Sequence, residues 1–193
     1  MVFAGGSTNL VIWLSRAYTG TVYTSTIFRQ RDICTTSSLG STVLNNQTGI
    51  VWNGISFPND GSYEISVYSS ATNPAVPFGT AAIRIAKITK TLAPINYSTS
   101  ILFKSFPGTY FRTGITYQIQ RIDPTGQWNG IGTYTPSHSA VKFLNFNIVT
   151  PNVEGVYNYV LHEPGLTTRK VVDEHKINVI APSTNTVLYI SRG

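Results

Sequence analysis

His162, Glu163, Asp173, Glu174 and His175 form the densest group of proton-transfer and metal-ligating side chains in the sequence. A hairpin between the strands carrying them brings His162 close to Asp173 and presents two imidazoles and a carboxylate to a cation. Strand geometry counts against a full ligand set. Successive residues face opposite sides, so Glu174 and His175 cannot both join Asp173 on one face. The plainer expectation is a polar loop with cross-strand ion pairs to Arg169 and Lys170. Elsewhere the carboxylates are thinly scattered, and there is no Gly-x-Ser-x-Gly elbow and no His-Glu-x-x-His. No glycine-rich loop opens a helix to cradle phosphate. The residues predict a non-enzymatic protein with no catalytic group, no metal and no cofactor.

A second feature is a stretch without acids. Between Glu64 and Asp123 there is no carboxylate, whereas Arg84, Lys87, Lys90, Lys104, Arg112 and Arg121 all lie there. Positive potential in that region suits an acidic partner surface. Nucleic acid is disfavoured, because six basic residues over nearly sixty positions make a thin patch with no Arg-rich run. Trp128 and Tyr134 offer ring faces that stack on sugars, which keeps a carbohydrate-binding adhesion module open as the alternative function. Cys34 is the only cysteine, so no internal disulfide forms. The expectation for it is a buried, inert strand thiol.

The elements that must position these residues are strands. Short runs rich in Val, Ile, Thr, Tyr and Phe alternate with Gly, Pro, Asn and Ser clusters. Expected strands are Leu10–Leu14, Thr21–Phe28, Ile50–Ser56, Ser62–Tyr68 and Ala81–Ile88, then Tyr97–Lys104, Ile115–Ile122, Val141–Val149, Val156–Leu161, Lys176–Ile180 and Thr186–Ile190. No stretch has a convincing helical period. Of the 193 residues 41% are hydrophobic, enough for a core, but only 11% are charged, with a net charge of +6. Ser, Thr and Asn supply about 57 residues in place of the usual Lys/Glu coat. Such a surface loses little on burial against another protein. No apolar run is long enough to span a bilayer. The N-terminal residues lack the basic and apolar regions of a signal peptide, so the expected site of synthesis is the cytoplasm.

An internal repeat organises the strands. An offset of 94 residues relates Gly20 to Gly114, Tyr23 to Tyr117, Gly61 to Gly155 and Tyr63 to Tyr157. It also pairs Ile50 with Leu144, Trp52 with Phe146, Ile83 with Ile177 and Ile85 with Val179. A repeat of this length is domain-sized. The expectation is two tandem antiparallel β-sandwich domains, 1–90 and 91–193, with Thr89–Pro94 as a linker. Thr186–Ile190 is an extra strand of the second copy, either closing its own sheet or pairing with another chain.

Within each copy, Asp60-Gly61-Ser62-Tyr63 and Glu154-Gly155-Val156-Tyr157 introduce a strand with an acidic turn followed by Gly-x-Tyr. This is similar to the E–F turn and F strand of immunoglobulin-like sandwiches, with a jelly roll as the alternative. The resemblance implies that Tyr63 and Tyr157 are corner tyrosines bonded to upstream backbone. It departs from the pattern at Ile65 and Tyr159, where half-cystines are expected, and covers the C-terminal half of each copy best. Tandem sandwiches without disulfides resemble virion accessory proteins of bacteriophages and other viruses, such as decoration, fibre and tail proteins. That resemblance implies a structural protein of the virion, made in the host cytoplasm. Its partners would be other capsid or tail proteins in a multimeric assembly, with a host-surface glycan as a further partner and no membrane.

Overall fold

Leu10, Ile12 and Leu14, and then Val22, Thr24, Thr26 and Phe28, alternate with more exposed residues along one strand, β1 (Ser7–Gln30). In the computed structural model β1 pairs antiparallel with β2 (Ile33–Ser56), each strand being 24 residues long. The structure describes residues 1–30, 33–69, 77, 79–164 and 170–191, and among these every element is a strand. Two β strands were expected where β1 runs unbroken. The Ser/Thr-rich residues Ile33–Gly49, for which no strand was expected, form most of β2. Apolar residues are few and fall on both sides, Leu39 and Leu44 inward and Ile33 and Val43 outward, so no period of two appears in the sequence.

From Trp13 to Tyr18 the partner on β2 advances only from Gly49 to Gln47. This irregularity bends the strand, and residues from both ends of β1 enter one core with Leu44, Ile50, Tyr63, Ile65 and Ile85. After the bend, β1 pairs with β3 (Gly61–Tyr68), which pairs with β4 (Gly79–Ile85). Before the bend, its free side takes β12 (Asn185–Ile190) in parallel.

The chain divides into two compact units, unit 1 being Met1–Lys87 with Pro182–Gly193 and unit 2 being Ile88–Ala181. The sequence expectation placed the C-terminal strand in the second copy. It lies in unit 1 because Leu188 and Ile190 complete that core beside Gly79, where an added Cβ would sit 1.7 Å from Ile190 Cγ2. The expected linker also belongs to a sheet. Leu92–Pro94 forms β5, a parallel edge strand on which a proline is tolerated.

Unit 2 has a five-stranded sheet in the order β5, β11 (Lys170–Ile180), β10 (Gly155–Glu163), β7 (Tyr117–Ile122) and β8 (Trp128–Tyr134). Its second sheet pairs β6 (Ser98–Lys104) with β9 (Phe143–Val149). Both units are all-β, with antiparallel sheets in a sandwich-like arrangement. Each encloses its own apolar core.

The repeat is a repeat of pairing. Gly61 faces Ile85 and Tyr63 faces Ile83, while Gly155 faces Val179 and Tyr157 faces Ile177. Both glycines have positive φ, 132° and 149°, which favours a residue without Cβ. Tyr63 Oη donates to Asn59 O at 3.3 Å and Tyr157 Oη to Val153 O at 3.0 Å, each four residues upstream. One proposed equivalence shifts. Tyr117 is buried but Tyr23 is only half-buried, and it is Val22 that occupies the inward position.

Candidate interaction surfaces

Residues alternating with the core of unit 1 point the other way across three paired strands. Val187, Val11 and Val51 stand side by side, followed by Tyr189, Trp13 and Gly49. Tyr189 is 77% exposed, Val51 57%, Val187 47% and Trp13 41%. The Trp13 ring lies on Gly49, where an added Cβ would be 3.1 Å away. Asn9 ties one end of this face together, its Oδ1 accepting from the Gly54 amide and its Nδ2 donating to Asn185 Oδ1. No charged residue occurs in Asn185–Ile190, in Ser7–Ser15 or anywhere in β2. The face is apolar at its centre and uncharged around it. Its signal was in the sequence as Leu-Val-Ile-Trp-Leu, where two hydrophobic sets interleave, but which set faces outward depends on the fold.

The six basic residues do not gather into one patch within either unit. Arg84 and Lys87 are exposed in unit 1, and Lys90 and Lys104 are exposed in unit 2. The Lys104 amide donates to Asp173 Oδ2 at 2.7 Å. Arg112 pairs with Glu163 at the rim of a cavity of about 320 Å3 lined by Phe106, Tyr110, Phe111 and Tyr117. Arg121 turns inward, with its guanidinium carbon 5.5 Å from the centre of the Tyr157 ring.

The histidine and carboxylate group disperses as well. His162 is buried beneath Trp128, with 5.3 Å between ring centres. His175 approaches Asp173 at 3.4 Å, and Glu174 accepts from Asn158 Nδ2 on the opposite side. Among the described residues no group of three His, Cys, Asp or Glu is placed to hold a metal ion. Arg169 lies outside the described residues, and Lys170 Nζ sits 4.1 Å from the Phe106 ring centre rather than on a carboxylate. Cys34, expected to be buried, is exposed on β2 opposite Arg29, because the strand that carries it is an edge. Of the two candidate sugar platforms, Trp128 is 47% exposed, whereas Tyr134 packs its ring edge against Phe111.

Two groups of unit 2 have shifted acidity. The Asp123 carboxylate is held below its ordinary 3.8, chiefly by the Thr125 hydroxyl and the Gln127 amide that donate to it. Burial pushes the Tyr159 phenol up to about 12, although the nearby Arg121 charge acts in the other direction. Among the described residues no helix is long and apolar enough to cross a membrane. No protein-family model and no curated protein sequence matches the chain.

Proposed function

We propose that this chain is a non-enzymatic structural component of a virion, a decoration or tail protein that attaches by protein–protein contact. The observation that supports the reading is the uncharged outer face of unit 1 centred on Trp13 and Tyr189. Its four exposed apolar side chains, with the half-buried Val11 between them, present on the order of 400 Å2, about half of one side of a standard interface, and the Asn/Ser/Thr rim extends it. Trp and Tyr are the residue types that anchor such contacts. With no charge to strip of water, the desolvation cost of docking is small. The partner surface that fits is itself apolar and uncharged. The virion setting comes from the resemblance in composition and tandem architecture.

The test is co-sedimentation of the native protein with intact viral particles in a density gradient. Banding at fixed stoichiometry with the capsid or tail proteins is expected. A Trp13→Ser/Tyr189→Ser variant should stay at the top of the gradient while keeping its amide-exchange protection. Native protein that remains free, or a double variant that bands as before, overturns the reading. Trp128 supports the alternative of glycan binding, in which case a glycan array gives signal without any particle.

A further inference from the structure

Unit 2 buries Tyr159 Oη and Arg121 Nε in one cleft, where neither makes a hydrogen bond of full geometry although the two side chains interact with each other. The cleft measures about 180 Å3, and Ile131, Phe146, Ile148 and Val149 supply its apolar lining. Arg121 follows Tyr117 and Ile119 along the inward side of β7 and pairs in register with Tyr159 on β10. Tyr159 is 1% exposed. Neither of the two ion pairs found among the described residues includes Arg121. The nearest acid in sequence, Asp123, feels its charge, but Asp123 Oδ1 already accepts from Thr125 and Gln127. Phe146 is held in place because it lies against Gly132, where an added Cβ would be 2.7 Å from the ring.

The half-buried Arg121 guanidinium lies over the Tyr157 ring and beside the Tyr159 hydroxyl, yet no carboxylate among the described residues forms an ion pair with it. A cation without a counter-ion at a cleft suits an anion. Unit 1 shows that the architecture does not require this cation. The corresponding cross-strand pair there is Thr26 with Ile65, both buried, and the Thr26 hydroxyl reaches Ser37 O. The Arg121–Tyr159 pair is therefore specific to the second copy.

We infer that this cleft binds a carboxylate carried on a short apolar body. The guanidinium of Arg121 and the hydroxyl of Tyr159 donate to the carboxylate oxygens, and the apolar portion lies against Ile131, Phe146 and Ile148. Arginine is suited to this role because its planar fork matches a carboxylate. The volume is below the usual range for drug-sized ligands, so the cleft takes a small acid or only the end of a longer molecule. A free short-chain acid and the C-terminus of a peptide share this chemistry. The inference is independent of the virion role.

The test is an NMR titration of the full chain with hexanoate and with N-acetyl-Gly-Val, using hexanol and hexylamine as controls. Saturable shifts centred on Arg121, Ile131, Phe146, Val149 and Tyr159 are expected with a carboxylate and not with the controls. Saturation by hexanoate alone indicates a free acid, and saturation by the peptide alone indicates a C-terminus. Arg121→Gln should weaken binding at least tenfold and Tyr159→Phe several-fold. No saturable shift with either carboxylate, or native affinity in Arg121→Gln, overturns the proposal. If Arg121→Gln loses its amide protection, Tyr159→Phe decides, because its ring still fills the core. Unchanged affinity in that variant also overturns the proposal.

Discussion

Unit 1 and unit 2 build one hairpin in one register, glycine for glycine and tyrosine for tyrosine, and then differ in two places. At the inward cross-strand pair beside the corner tyrosine, unit 1 has Thr26 and Ile65 where unit 2 has Arg121 and Tyr159. On the outer face of the smaller set of strands, unit 1 shows Trp13, Val51, Val187 and Tyr189. The outward side of β6 and β9 in unit 2 is mixed: Ser98, Ser100, Asn145, Asn147 and Lys104 stand among Leu102 and the exposed Phe143 and Val149. The positions that agree are those that turn the chain and seal the core. Those that differ set an arginine beside a tyrosine in the cleft of one unit and Trp13 beside Tyr189 on the outer face of the other. The comparison teaches where to look for function, because a shared fold explains the shared residues and leaves the differences needing another cause.

The sharpest way to break the comparison is to end the chain at Ala181. Among the described residues unit 2 has no counterpart of β12, whereas unit 1 depends on Leu188 and Ile190. Each such side chain is worth about 2–5 kcal/mol against alanine, and a domain has only about 5–15 in total. Hydrogen exchange should show amide protection collapsing in unit 1 and persisting in unit 2. Equal loss in both units would contradict the assignment of the strand.

Alanine at the two turn glycines is the next largest effect. A Cβ at Gly155 would meet Pro124 Cγ at 2.3 Å, and one at Gly61 would meet Phe28 at 3.0 Å, both on positive-φ backbone. Gly155→Ala should destabilise by about 2–3 kcal/mol and Gly61→Ala by about 1–2, read from denaturant midpoints.

Alkaline pH distinguishes the inward pairs. Tyr159 titrates near 12 in the folded chain and near 10 when unfolded. Its contribution is therefore complete below pH 10 and falls as pH rises towards 12, because the unfolded chain loses the proton first. The loss should be on the order of 1–2 kcal/mol once solvent in the cleft is allowed for. Tyr159→Phe should remove that slope, and unit 1, with Ile65 at the position, should lack it. A slope that survives the substitution assigns the effect to another tyrosine.

Tyr63→Phe and Tyr157→Phe should each cost about 1 kcal/mol, the net value of one hydrogen bond. Similar losses measured by urea unfolding would support the equivalence of the two corners. A much larger loss for Tyr63, whose hydroxyl also accepts the Asn59 amide at 3.2 Å, would separate them.

Much of this was legible in the sequence, and the limits have particular residues attached. Tyr63, Ile65 and Val67, with Tyr157, Tyr159 and Leu161, follow the alternation of strands that begin at the two turn glycines, and all six are buried. Strand β8 was missed because Gly130 and Gly132 weaken a strand pattern, yet Gly132 is needed where the Phe146 ring lies. The sequence groups Arg121 with the five other cations of the acid-free stretch, since a basic residue next to Ile122 gives no sign of facing the core.

The sequence by itself determined the β class, the repeat and the two tyrosine corners. Those depend on alternation, turn glycines and bonds between residues four apart, all of which are local. Tertiary structure decided which core receives Leu188 and Ile190, which of two interleaved hydrophobic sets faces solvent at Trp13, and which cation is turned inward. A strand's alternation defines two faces without naming either as inside. That choice is made by packing against residues far away in the chain, and no neighbouring residue records it.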